Sequence, residues 1–133
     1  MERVILDSSV WIALERGDIE LDDAIPDGYE LVLPAMVLAE LKIDSLRLQR
    51  EGRRNQQALD LLAFIQESTE FAPFDEKVVE KYVELLFHCQ REGVPRPVQD
   101  LMIAATAVAH GAFLKSFDSR ANFEELPNVR VLS

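Results

Sequence analysis

The stretch Arg3-Val4-Ile5-Leu6-Asp7-Ser8-Ser9-Val10 changes character at Asp7. Residues 3–6 read as a short buried strand, and Ser8-Ser9 supply hydroxyls suited to cap a helix that begins near Val10 and ends by Gly17. A strand running straight into a helix is the opening unit of a parallel α/β sheet. The same alternation continues along the chain. A short acidic helix around residues 19–24 closes at the turn Pro26-Asp27-Gly28, and residues 30–33 form a second strand. Pro34 stands where a proline begins a helix without losing a needed N–H, and the helix over 35–50 stops near Gly52. Residues 55–66 make another helix, with Ala58, Leu61, Leu62 and Ile65 at helical spacing.

Residues 71–74 give a brief third strand, assigned to a sheet edge because of Pro73. Asp75 is the predicted N-cap of a helix whose Val78, Tyr82, Leu85, Leu86 and Cys89 make one apolar core stripe. After Gly93-Val94-Pro95-Arg96-Pro97 comes a helix over 98–110 that is apolar nearly all round, hence buried, and ended by Gly111. Residues 113–117 and 129–132 are the last strands. The alternation predicts right-handed crossovers and a mainly parallel sheet covered on both faces.

The chain has 133 residues, of which 48% are hydrophobic, and this suffices for one domain over 1–133 with its own core. Disorder and a disulfide scaffold are excluded. The longest nearly unbroken apolar run, 101–109, is far shorter than the roughly 20 residues of a membrane span. Met1-Glu2-Arg3-Val4-Ile5-Leu6 lacks a basic leader followed by an apolar segment, so the expected location is cytoplasmic, with no membrane partner. The single Cys89 fits a reducing compartment. The net charge of -10 argues against nonspecific nucleic-acid binding.

In an open parallel sheet, ligands bind beyond the carboxyl ends of the strands. Asp7 follows the first strand and Asp118 the strand over 113–117, while Glu40 lies early in the helix after the second strand. Asp100 lies in the first turn of the helix entered from the 93–97 loop. Plainer readings exist: Asp7 shapes a turn, Asp100 complements a helix dipole, and Asp118 is a loop acid. Glu40 resists such a reading, because it interrupts Met36-Val37-Leu38-Ala39 and Leu41 and has only Val37 and Met36 one turn before it. A buried, unpaired carboxylate needs a cation, a proton or strong hydrogen bonds. Crowded carboxylates raise one another's pKa unless a cation neutralises them. Oxygen ligands without a Cys/His cluster select Mg2+ or Mn2+, and such an ion suits phosphodiester hydrolysis.

Positive charge is segregated. Lys42, Arg47, Arg50, Arg53 and Arg54, against Asp44 and Glu51, make residues 42–54 net +3 and the remainder -13. Arg50, Arg53 and Arg54 are therefore candidate RNA-phosphate contacts, and Arg96, near Asp100, is another. His88, His110 and Cys89 read as structural, and Trp11 and Phe123 as packing residues. A phosphoacceptor receiver or a haloacid-dehalogenase-like phosphatase also uses strand-end Asp with Mg2+. The receiver needs an acidic pair near the first strand. The phosphatase needs an Asp two residues after its nucleophile, where Ser9 stands.

Taken in order, Ile5-Leu6-Asp7-Ser8-Ser9-Val10, Val37-Leu38-Ala39-Glu40-Leu41, Asp100-Leu101-Met102-Ile103-Ala104-Ala105 and Ser116-Phe117-Asp118 resemble the PIN domain. More narrowly, the chain is similar to VapC-type toxin ribonucleases of bacterial and archaeal toxin-antitoxin pairs, over essentially its whole length. The resemblance implies a three-layer α/β/α sandwich with a four- to five-stranded sheet and Mg2+- or Mn2+-dependent cleavage of RNA. It also implies a homodimer inhibited by a small VapB-type antitoxin whose tail inserts near the acidic pocket. Carried over by position, Asp7, Glu40, Asp100 and Asp118 are the acidic quartet that binds metal, with Ser8 or Ser9 and Ser116 orienting carboxylates or waters. Asn122 stands where many members have an acid before the aromatic, here Phe123, which leaves the number of metals open. A catalytically silent PIN-like interaction module is disfavoured by the four intact acids.

Overall fold

Val4, Ile5 and Leu6 are 0, 0 and 1% exposed, although successive residues of a strand point to opposite faces. Both faces of the strand that carries them, β1 (Glu2–Leu6), are therefore covered, which is the condition of a parallel sheet flanked by helices. In the computed structural model, which describes residues 1–52 and 56–133, β1 is the middle strand. With β2 (Tyr29–Pro34), β3 (Glu70–Ala72), β4 (Phe113–Lys115) and β5 (Arg130–Val131) it forms a sheet in the order β3-β2-β1-β4-β5. Every pairing is parallel. The helices are α1 (Ser8–Glu15), α2 (Leu21–Ala24), α3 (Ala35–Arg50), α4 (Gln56–Ser68), α5 (Glu76–Glu92) and α6 (Val98–His110).

The chain leaves β1 toward β2 and β3 on one side and returns to β4 and β5 on the other. That reversal makes the carboxyl ends of β1 and β4 a topological switch point, where a crevice opens between diverging connections. The core beneath it is aliphatic. From α6 alone, Leu101, Ile103, Ala104 and Ala105 are all 0% exposed, which explains why this helix has almost no polar face. It ends at Gly111, whose φ of 61° is a left-handed value that a side chain disfavours. In α5, Val78, Leu85 and Cys89 are buried, and the Asp75 carboxylate accepts the Val78 N–H at 3.1 Å, as its capping position predicts.

Several boundaries differ from the sequence reading. Helix α1 starts at Ser8, and its cap is Asp7, whose carboxylate accepts the Ser8 N–H. Pro34 closes β2 and occupies the cap position of α3, one residue before the first helical turn. Strand β3 begins at Glu70 and stops before Pro73, which has no N–H for the ladder; it is the sheet edge, as that proline implies. Strand β4 ends at Lys115, short of Phe117. The reason lies in side chains: the Phe117 N–H donates to Ser9 Oγ and the Asp118 N–H to Ser116 Oγ, each at 3.0 Å, so the backbone is drawn out of the ladder. Strand β5 is confined to Arg130–Val131, and α2 starts at Leu21. The fourth helix is described from Gln56; Asn55, its expected first residue, lies outside the described residues.

Leu114, 0% exposed in β4, sits in this core beside the switch point. Leu114→Ala is expected to lower unfolding free energy by about 2–5 kcal/mol, read as a lower urea midpoint at unchanged slope. A loss below about 0.5 kcal/mol would mean that the β1–β4 seam is not packed as described.

Candidate active site

Asp7 is 7% exposed, at the carboxyl end of β1. Its Oδ1 accepts the Ser8 N–H at 2.8 Å, and its Oδ2 accepts hydroxyls from Ser116 at 2.8 Å and Ser9 at 3.1 Å. The backbone reinforces the position, with the Asp7 N–H donating to the Lys115 carbonyl at 2.9 Å. Three of the roughly four acceptor positions of a carboxylate are thus filled, and one remains for a ligand. Ser9 and Ser116 fasten α1 and the end of β4 to one acid, the orienting role expected of them.

Glu40, in the second turn of α3, has a buried Oε1 with no hydrogen-bond partner. Burial raises its pKa from the ordinary 4.5 to about 7, helped by the negative charges of Asp7, Asp100 and Asp44 and opposed by the Ser8 side chain. Asp100, in the first turn of α6, is also raised, chiefly by burial and then by Asp7 and Asp118, with Arg96 opposing. Glu40 is thus within electrostatic reach of Asp7 and Asp100, and Asp100 within reach of Asp7 and Asp118, which links the four predicted acids as neighbours at the carboxyl edge of the sheet. Asp118 does not directly follow β4 as expected. It stands three residues beyond the strand, capping a 3-10 turn over Ser119–Ala121, where its Oδ1 accepts the Arg120 N–H at 3.0 Å.

Other predicted residues fare differently. Asn122 adopts a left-handed φ of 48°, a conformation asparagine tolerates, and its amide donates to the Arg120 carbonyl at 3.4 Å, within its own turn. Arg96 is not a free phosphate contact: its side chain is only 9% exposed and its guanidinium donates to the Ala121 and Asn122 carbonyls and to Glu125. Arg50 is exposed at the end of α3; Arg53 and Arg54 lie outside the described residues. Trp11 and Phe123 are 1 and 3% exposed and pack in the core, as their plainer reading holds.

Two residues were missed. Asp44 is one helical turn beyond Glu40 and adds to its charge crowding, which the i,i+4 spacing could have signalled. Arg47 pairs with Asp44 at 3.6 Å and, with Glu40, Met36, Ile43 and Gln99, lines a cavity of about 400 Å3 opening beside the acids.

The donor set suits a hard cation. An orphaned, buried carboxylate oxygen and two acids with raised pKa would be relieved by a divalent ion; Ser8 beside Glu40 and Arg96 near Asp100 offset the crowding only in part. Among the described residues, no group of three or more His, Cys, Asp or Glu side chains is already arranged to hold a metal ion. The acids surround the crevice without being drawn onto one point.

Fold and site together define a parallel α/β protein with a carboxylate cluster at its switch point. The PIN domain family model matches residues 4–129. Ribonuclease VapC4 of Mycobacterium tuberculosis is 30% identical over 135 residues, covering 100% of this chain and 98% of the relative. Ribonuclease VapC of Rickettsia bellii is 28% identical over 130 residues, 98% of this chain and 95% of the relative. The chain belongs to the PIN domain family, in its VapC branch. Its fold is similar to that in the crystal structure of VapBC2 from Rickettsia felis bound to a promoter DNA fragment. There the TM-score is 0.81 at 19% identity, over 98% of this chain and 97% of that one.

Between its ordinary pKa of 4.5 and about 7, Glu40 is protonated in the folded chain but ionised in the unfolded one. Its contribution to stability therefore falls as pH rises through that window. Without divalent ions, Glu40→Gln is expected to raise Tm relative to wild type at pH 8 and to leave it unchanged at pH 4. An equal Tm difference at both pH values would show that the carboxyl is not crowded.

Proposed function

We propose that this chain is a divalent-metal-dependent endoribonuclease that hydrolyses RNA phosphodiester bonds, acting as the toxin of a VapBC-type toxin-antitoxin pair. The observation that carries the reading is the buried, partnerless Glu40 Oε1, whose pKa burial and the neighbouring Asp7 and Asp100 raise, in a chain whose relatives are named ribonucleases. Asp7, Glu40, Asp100 and Asp118 are the residues that would hold Mg2+ or Mn2+. Such an ion, when bound, polarises a phosphoryl oxygen and lowers the pKa of water so that it can attack phosphorus.

The chain's own groups do the rest. Asp7 is kept from rotating by Ser8, Ser9 and Ser116, so its free acceptor position faces the crevice without reorganisation. Glu40, raised to about 7 without metal, would have to give up its proton to become a ligand, so metal binding at neutral pH is coupled to proton release. The cavity beside Glu40, with apolar Met36 and Ile43 and the cation of Arg47, suits a nucleotide adjoining the scissile phosphate. Of the three arginines proposed to meet the RNA backbone, Arg50, Arg53 and Arg54, Arg50 is the described one.

The expected partners are RNA, a second copy of the chain and a VapB-type antitoxin. Solved VapBC complexes of the same fold support the last, and the net charge of -10 suits an antitoxin with a basic tail. No helix among the described residues is long and apolar enough to cross a membrane, in keeping with the cytoplasmic placement proposed here.

Induced expression of wild type is expected to arrest growth and create new RNA ends in sequencing, while Asp7→Asn and Asp100→Asn do neither. In vitro, Ser116→Ala should lower cleavage by about 10- to 100-fold, the cost of losing a group that orients a ligand. Both Asp variants should lower it further. Equal growth and intact RNA in all strains would reject the proposal.

A further inference from the structure

We propose that Arg96 is a positioning residue that clasps the turn carrying Asp118 to the start of α6, which carries Asp100. Arg96 lies between Pro95 and Pro97, two residues before α6 begins. The pyrrolidine rings fix the backbone on either side, and a residue before proline is held extended, so the side chain leaves a stiff strap in one direction. Its guanidinium reaches 25–29 residues along the sequence. Nη1 donates to the Ala121 carbonyl and to the Asn122 carbonyl, the latter at 3.0 Å, and Nη2 to Glu125 Oε2 at 3.3 Å. Ala121 and Glu125 end the two 3-10 turns, Ser119–Ala121 and Phe123–Glu125, that follow Asp118, and Asn122 is the residue joining them.

The turn segment has little regular structure of its own, and the left-handed Asn122 breaks it in the middle. Short 3-10 turns leave carbonyls without backbone partners, and here one nearly buried cation serves the Ala121 carbonyl and adds a second donor to the Asn122 carbonyl, which also accepts the Glu125 N–H at 3.1 Å. Two carbonyls are met from Nη1 and a carboxylate from Nη2, a spread that the planar guanidinium fork spans; an ammonium also has three donors, but all on one nitrogen, and cannot reproduce that spacing. The clasp thus fixes Asp118, the one site acid placed neither on a helix nor at a strand end, relative to Asp100. A displacement of about 1 Å at a reacting centre costs on the order of 100-fold in rate.

The activity arm of the test rests on the ribonuclease reading; the exchange arm does not. Hydrogen exchange of full-length wild type, Arg96→Lys and Glu125→Ala would be followed by mass spectrometry, alongside RNA cleavage kinetics over a salt series. Arg96→Lys is expected to speed exchange in the peptide covering 118–126 while leaving β1 and α5 unchanged. Its kcat should fall about 10- to 100-fold, with KM for RNA within about twofold of wild type and the same salt dependence. Glu125→Ala, which removes one acceptor of three, should loosen the same peptide less, and it decides the matter should Arg96→Lys fail to fold. Unchanged exchange would overturn the proposal. So would a raised KM with flattened salt dependence at unchanged kcat, which would make Arg96 a phosphate contact. Wild type that cleaves no RNA would overturn the ribonuclease reading, with the exchange result still deciding the clasp.

Discussion

One buried carboxylate joins the two halves of this sheet. Asp7 ends β1, caps α1 through one oxygen, and through the other accepts hydroxyls from Ser9 on α1 and Ser116 beyond β4. A charge that is 7% exposed is tolerated only when its acceptor positions are filled, and here the groups that fill them are also those that end β4 and turn the chain toward Asp118. Fold and site share the same hydrogen bonds. An apolar residue at position 7 would remove the helix cap, the hydroxyl bridge from Ser9 and Ser116 across the β1–β4 seam, and one acid of the crevice together.

Around Asp7 the chain then assembles what electrostatics opposes. Glu40 and Asp100 gather near it, with Asp44 beside Glu40, and the counter-charges are partial: Arg47 is bonded to Asp44 and mostly exposed, and Arg96 offsets the shift of Asp100 only in part. Surface ion pairs of this kind contribute little, so the crowding is not relieved within the crevice. The cost is carried by the large aliphatic core beneath, and it is the ordinary mark of a site built for a ligand absent from the sequence. The net charge of -10 gains a more specific meaning on these grounds. Part of the negative excess is gathered at one crevice, with Arg47 and Arg50 placed along the helix that leads away from it.

Much of this was legible in the residues. Helix α6 was clear because its apolar run is bounded by Pro97 and Gly111, and α3 because it begins after Pro34. The acids are candidates because ligands sit beyond strand ends, a topological rule that needs only element order. What escaped depended on side chains meeting across long separations. The end of β4 is decided by Ser9, more than 100 residues earlier, and no local propensity reports it. Asp7 outcompeted Ser8 and Ser9 as the cap because Ser9 is engaged across the seam. Arg96 looked like a phosphate contact because its charge is visible in sequence and its partners, Ala121 and Asn122 carbonyls, are not.

If the crevice acids await a cation, calorimetric titration of Mn2+ at pH 6.5, in two buffers of different ionisation enthalpy, will reveal it. Saturable binding with net proton release is expected, because Glu40 must lose its proton to ligate, with the release reduced in Glu40→Gln and binding lost in Asp7→Asn. Binding without proton release, or binding that survives Asp7→Asn unchanged, would contradict this.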